Sequence, residues 1–165
     1  MVLKVLRFLS LFLVALTLGL TFCHVMEIAG KLRLSGAEWL TVQHNLYVAF
    51  GPALGAWIEV GAIVLTWAVA FLVRRHRPAA WLTSGAAACT SAGLGVWFVL
   101  VAPMNAALSG WTPETLPGDW TGYRDQWEAG HAVHAALFAC GFGALVIAIL
   151  AETSGEARAK PARSL

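Results

Sequence analysis

The chain has 165 residues, of which 59% are hydrophobic and 12% are charged, and its mean hydropathy is +0.71. A water-soluble domain of this length could not keep so much apolar side chain away from solvent, so the composition predicts a membrane protein. The formal net charge is only +2, and the basic residues lie in short clusters beside apolar stretches. That placement is typical of residues that set membrane topology and argues against a nucleic-acid partner.

Four stretches are long and apolar enough to cross a bilayer, which takes about 20 helical residues. In chain order they are about Val5–Ile28, Leu46–Val73, Ala79–Val101 and Gly130–Leu150. The first could be a signal peptide, because Lys4 and Arg7 precede its apolar core. That core, however, is longer than the usual length of about 7–15 residues. We therefore predict an all-α bundle of four transmembrane helices, residues 1–152, followed by a disordered cytoplasmic tail, residues 153–165.

The second stretch and the third connection carry the signals for irregular structure. Pro52 lacks a backbone donor and predicts a kink. The segment from Glu38 to Val73 is too long for one straight span, so we expect its first part to lie at the outer interface. The third connection is rich in proline, glycine and aromatic residues and predicts an ordered cap. Four tryptophans near the outer ends predict an aromatic belt in the headgroup region: Trp39, Trp111, Trp120 and Trp127.

Basic residues predict the orientation of the bundle. They precede the first span, lie between the second and third spans and recur in the tail: Lys4, Arg7, Arg74, Arg75, Arg77, Arg158, Lys160 and Arg163. Because loops rich in lysine and arginine stay inside, both termini and the second loop are predicted to be cytoplasmic.

Polar triplets interrupt the first and last spans in opposite order. The first triplet is His24, Glu27 and Lys31. The second is Arg124, Glu128 and His131, with His134 one turn further along. Each helical residue turns by about 100°, so each triplet shares one face. Antiparallel helices reverse the order of depths, so the triplets predict matched layers of imidazole, carboxylate and cation.

Glu59 can reach the imidazole layer from the second span. A rise of about 1.5 Å per residue places His24 roughly 25 Å above Arg7 and Glu59 roughly 22 Å above Arg74. His44 lies well above that level and joins only if the interfacial segment folds back over the bundle.

Three interpretations of this cluster stay open. Glu27–Lys31 and Arg124–Glu128 fit ordinary ion pairs beside packing histidines. The Glu-x-x-His spacing also fits a transition metal such as iron, copper or zinc, or a haem held by His24 and His131 or His134. The candidate metal ligands are His24, Glu27, Glu128, His131 and His134. Lastly, Glu59 lies mid-span without a nearby basic residue and could relay protons or anchor a small molecule.

Several motifs resemble the anthrone-oxygenase-like family of small four-helix membrane proteins. They are "HVMEIAGKLRL", "VQHNLY", "GAWIEVGAIV", "VAPMNAALSGW" and "DWTGYRDQWEAGH", and together they span nearly the whole chain. The most specific part is formed by Pro103, Asn105, Trp120, Arg124, Trp127, Glu128 and His131. The fungal relatives oxidise polyketide anthrones to anthraquinones with dioxygen. The histidine and glutamate elements here are similar to those of a bacterial branch with no assigned reaction, which implies a multi-pass protein of a bacterial-type inner membrane.

The resulting hypothesis is an oxidoreductase- or oxygenase-like membrane enzyme for a small apolar, aromatic or quinonoid substrate. Glu27 and Glu128 would be ligands or proton acceptors. Lys31 and Arg124 would orient these carboxylates or attract an anionic group. The remaining assigned residues are Glu59 for proton handling and His24, His131 and His134 as ligands. The alternative is a non-catalytic binding or transport-accessory protein whose polar cluster only ties the helices together.

Overall fold

The computed structural model describes the backbone of residues 1–159 and the side chains of residues 1–51 and 54–152. All regular structure in this part is helical, without a strand. The helices are α1 Val2–Lys31, α2 Gly36–Leu46, α3 Gly55–Val73, α4 Arg77–Val96, α5 Ala102–Leu108 and α6 Trp120–Ala159. Two wider, π-type segments lie at Ala49–Ala53 and Trp97–Val101. Helix α6 thus extends into the predicted tail, and residues 160–165 lie outside the described residues.

Four helical segments are long and apolar enough to cross a membrane, which confirms the predicted all-α architecture. They are Val2–Lys31, Ala49–Val73, Arg77–Leu108 and Trp120–Glu152. The fourth begins at Trp120, whereas the apolar stretch begins only at Gly130. The helix starts early because Trp127 and Glu128 are buried against the other helices, so this polar stretch stays in the bundle.

The lower bundle has an apolar core to which each long helix contributes. Its buried members are Val14, Ala62, Ala86, Phe138 and Leu145. Helix α6 packs along α1 and α4, and α3 packs between α1 and α4. Gly93 permits the closest approach of α4 to α6, because a Cβ there would lie 2.9 Å from Phe138 Cε2 and 3.0 Å from His134 Cδ2. The bundle interior therefore closes directly below the histidines.

Helix α2 covers the end of the bundle at which α1 ends. Its start is fixed by a capping box, in which Ser35 Oγ accepts from the Glu38 amide and the Ser35 amide donates to the Glu38 carboxylate at 2.8 Å. The Ser35 hydrogen bonds hold the pKa of Glu38 below its ordinary value. The inner face of α2 buries Trp39 and Leu40, so the interfacial segment folds back over the bundle.

The predicted tryptophan belt is wrong for two of its members. Trp39 is 0% exposed and Trp127 is 2% exposed, so both belong to the protein interior. They form a second core with Leu40, Val101 and Leu108, and the partly buried Trp111 and Trp120 pack against it. Helix α2 and the third connection cover this end of the bundle, so the tryptophan rings contact protein. Without that cover, the rings would face the lipid headgroups. The ring of Trp111 also meets Tyr123, which orders the cap.

The kink predicted at Pro52 is present. The neighbouring Gly51 has non-helical angles, φ −88° and ψ −122°, and helix α3 restarts only at Gly55. This break lies near the start of the apolar span Ala49–Val73, between the covering helix α2 and helix α3. It leaves Tyr47 and Phe50 in ring contact with His24, at 4.5 and 5.2 Å between ring centres.

Candidate functional site

The two mirrored histidines meet at the centre of the site. The ring centres of His24 and His131 lie 4.2 Å apart, and both side chains are buried. Trp127 is one turn before His131 on α6, and its ring lies 4.9 Å from His24 and 4.1 Å from His131. The predicted imidazole layer between α1 and α6 is therefore confirmed.

A buried ion network joins the same two helices. The Lys31 ammonium lies 3.0 Å from Glu128 Oε2 and 3.6 Å from Glu27 Oε2, and Lys31 is only 4% exposed. Its Nζ also lies 4.6 Å from the centre of the Trp127 ring. The Tyr47 hydroxyl donates a hydrogen bond to Glu27 Oε2. One ammonium thus serves two carboxylates from different helices, and an aromatic ring closes that side.

Arg124 does not pair with Glu128 as the i,i+4 spacing predicts. Its guanidinium binds Asp125, with Nε and Nη2 at 3.0 and 2.9 Å from Oδ1, and lies 5.1 Å from the Trp120 ring centre. Glu128 instead takes Lys31 as its cation. The prediction fails because a long side chain from the facing helix supplies the buried charge, whereas Asp125 offers Arg124 a partner near solvent.

Glu59 joins the histidine layer from α3, as predicted. Its Oε1 lies 3.0 Å from His134 Nε2, and His134 is 1% exposed. The hydrogen bond between the carboxyl group and the imidazole fixes the orientation of the deepest histidine ring.

A cavity of about 370 Å³ opens between α1, α2, α3 and α6. Four of the five histidines of the chain line it, namely His24, His44, His131 and His134. Glu59 lines it as well, together with four aromatic rings: Tyr47, Phe50, Trp97 and Trp127. Among the described residues the lining does not include Glu27, Lys31, Arg124 or Glu128. The predicted site therefore divides into a histidine-lined cavity and an adjacent ion network, which are joined where Tyr47 of the lining binds Glu27 and where His24 Nδ1 lies 3.8 Å from Glu27 Oε2.

Several buried nitrogen atoms of residues that line the cavity have no hydrogen-bond partner among the described residues. They are the Nδ1 atoms of His24, His131 and His134 and the Nε2 atom of Gln43. A buried polar atom left without a partner costs about 1–3 kcal/mol. Such atoms in a native protein call for water or a ligand to complete their hydrogen bonds. The cavity is large enough for either.

The residues present do not fit the metal and haem hypotheses. Within the described part of the chain, no three His, Cys, Asp or Glu side chains are grouped so that they could hold one ion. Glu27 and Glu128 already share the Lys31 ammonium, which occupies the position a bridging cation would need. The rings of His24 and His131 are 4.2 Å apart, which leaves no room for a macrocycle between them.

The sequence did not identify the aromatic wall of the cavity, which is formed by Tyr47, Phe50, Trp97 and Trp127. Tyr47 binds Glu27 and lines the cavity, and Trp127 donates from Nε1 to Asn105 Oδ1 at 2.8 Å. The sequence places Trp127 in the aromatic belt and in the most specific motif but gives it no role in the site, although it lies one turn from His131 on the face that carries the triplet. That shared face was the signal that could have identified it.

Comparison with known proteins adds no family to this description. No protein-family model, no curated protein and no solved structure matches the chain.

Proposed function

We propose that this protein is an oxygenase-like membrane enzyme that binds a small aromatic or quinonoid compound in the histidine-lined cavity. The observation that carries the proposal is the combination of four aromatic rings with four histidine side chains around one space. Flat rings stack favourably on such walls. The nitrogens would bind the hydroxyl or carbonyl oxygen of the ligand.

The Glu59–His134 pair supplies the chemistry expected of a base. With Nε2 donating to the Glu59 carboxylate, Nδ1 would accept a proton, and Glu59 would stabilise the resulting imidazolium. His24 and His131 would hold the ligand oxygen and stabilise negative charge that develops on it. The resemblance to anthrone oxygenases supports a reaction in which a ring CH₂ group and O₂ give a ring C=O group and H₂O. Proton removal would leave an electron-rich ring that reduces dioxygen.

Glu27, Lys31 and Glu128 would act by holding α1 and α6 at the distance that the cavity requires. The same network supports the second candidate function, a non-catalytic binding or transport-accessory protein, because it joins helices without lining the cavity. In both cases the protein would lie in a bacterial-type inner membrane with both termini in the cytoplasm.

Ligand binding and dioxygen uptake test the proposal. Purified protein should bind hydroxylated anthrones or naphthoquinones, as measured by quenching of tryptophan fluorescence, and should consume dioxygen with an anthrone. His131→Ala should weaken binding about 5- to 150-fold, since a lost hydrogen bond to a buried partner costs about 1–3 kcal/mol. His76→Ala is the matched control, because His76 is exposed outside the cavity. Binding without dioxygen uptake would favour the accessory function, and absence of binding would contradict both.

A further inference from the structure

The mouth of the cavity is identified by lining residues that are also exposed. Val48 lines the cavity and is 68% exposed. His44, Asn105 and Ser109 line it too and are exposed. The opening therefore lies beside the ends of α2 and α5, which are joined by His44 Nε2 and Leu108 O at 3.0 Å, and it has one apolar side and one polar side.

The mouth lies where the membrane-spanning segments end. Val48 directly precedes the span that begins at Ala49, and Asn105 is in the last turn of the span that ends at Leu108. The chain on either side of Val48 exposes further large apolar groups, with Leu46 at 61% and Leu54 at 58%. Apolar groups exposed at this level contact acyl chains, whereas the polar side of the mouth faces the headgroups.

The wall beside the mouth is irregular backbone. Gly51 has non-helical angles and lines the cavity. Lipid cannot satisfy free backbone groups, so irregular backbone at membrane depth is tolerated only where it is buried in protein or lines a cavity. The lining of a cavity by Gly51 thus accounts for a backbone break near the start of this span.

We propose that the ligand is a membrane-dissolved amphiphile whose aromatic, oxygen-bearing ring enters the cavity sideways while its alkyl tail stays in lipid beside Val48. This inference rests on the proposed function and adds the substrate class and the route of entry. The cavity of about 370 Å³ is near the lower end of the range for small-molecule pockets. It suits a ring system and leaves a long tail outside.

A series of naphthoquinones with no tail, a butyl tail or a decyl tail tests this route. Binding is measured in lipid nanodiscs by tryptophan quenching, with concentrations expressed per volume of lipid. A tail that stays in lipid before and after binding adds no transfer free energy, so the three dissociation constants should agree within about threefold. If the tail-less compound binds and the decyl compound binds at least about tenfold more weakly, the cavity is closed to lipid and the inference is wrong, although the proposed function stands. If none of the three binds, both are overturned.

A bulky residue at the mouth gives a second test. Val48→Trp should exclude the tail and weaken binding of the decyl compound about tenfold, because overpacking typically costs about 1–3 kcal/mol. The tail-less compound should keep its affinity. Val64→Trp is the matched control, since Val64 is exposed on α3 and outside the cavity lining. Equal effects of Val48→Trp on all three compounds, or none, would contradict the route.

Discussion

The ring of His24 lies 4.2 Å from the ring of His131, so residues 107 positions apart in the chain share one layer of the bundle. The reversed order of the two triplets makes this possible, because α1 and α6 run in opposite directions and their deepest polar residues meet. Above this layer Lys31 joins the two glutamates, and below it Glu59 binds His134. The histidines therefore lie between an ion network and a carboxylate–imidazole pair.

Removal of the buried ammonium should destabilise the bundle strongly. Lys31→Met leaves Glu128 buried without its cation, and loss of one partner of a buried pair typically costs about 3–5 kcal/mol. Thermal unfolding in detergent should show a clear drop in midpoint. Arg33→Met is the control, because Arg33 is exposed two residues away and its loss should change the midpoint little.

The double variant Lys31→Met with Glu128→Gln separates charge from packing. It removes both buried charges, so much of the lost stability should return. If Lys31→Met behaves like Arg33→Met, the network has no part in holding α1 to α6.

The sequence predicted the spans and the meeting of the triplets because both follow from regular geometry. Apolar length predicts a crossing helix, and a spacing of three or four residues predicts a shared face. The pairing of Arg124 with Asp125 could not be predicted in this way. Spacing along one helix does not reveal a competing cation on another helix, such as Lys31, which pairs with Glu128.

The aromatic lining of the cavity could not be predicted from the sequence, for a related reason. Tryptophan near a span end is typical of a headgroup belt, and only the fold of α2 over the bundle buries Trp39 and Trp127. The position of Tyr47 depends on the break near Gly51, whose direction a local sequence does not encode. Local rules thus predicted the elements, whereas long-range packing decided the lining of the site.

Glu59 and His134 should be energetically coupled. Glu59→Ala and His134→Ala each remove one partner of a buried hydrogen bond, so their combined effect on unfolding free energy should be smaller than the sum by about 1–3 kcal/mol. Denaturant unfolding of the two single variants and the double variant measures this coupling. The pair Glu59→Ala and His76→Ala is the control and should be additive, because His76 is exposed beyond the end of α3. Additivity of Glu59→Ala with His134→Ala would show that this hydrogen bond does not hold the imidazole.

Two glycines of α4 should respond differently to the same substitution. A Cβ at Gly93 would press on Phe138 and His134, whereas a Cβ at Gly95 meets nothing within 4 Å. Alanine is favoured over glycine in a helix by about 1 kcal/mol, so Gly95→Ala should raise the unfolding midpoint slightly. Gly93→Ala should lower it, because α6 must move away from α4. Equal midpoints for the two variants would mean that α4 and α6 do not approach closely at this level.

Metal addition should leave the protein unchanged. Lys31 supplies the positive charge between Glu27 and Glu128, so iron, copper or zinc would have to displace an ammonium that is 4% exposed. A ligand that binds only the folded state raises the unfolding temperature. We therefore expect no shift when each metal is added to chelator-treated protein, and no stoichiometric metal by elemental analysis. A shift that His131→Ala abolishes and His76→Ala preserves would restore the metal hypothesis.

Reporter fusions should place both ends of the bundle in the cytoplasm and the third connection outside. Arg7 and Glu152 form an ion pair, with Nη2 and Oε1 at 2.6 Å, so the start of α1 and the membrane end of α6 lie at the same face. The cluster Arg74–Arg77 follows α3, and positively charged connections stay inside. A fluorescent protein fused to the C-terminus should fluoresce, and a phosphatase inserted at Gly118 should be active. When the two reporters are exchanged, the fluorescent protein at Gly118 should not fluoresce and the phosphatase at the C-terminus should be inactive. An active phosphatase at the C-terminus would reverse the orientation, and with it the side of the membrane on which the cavity mouth opens.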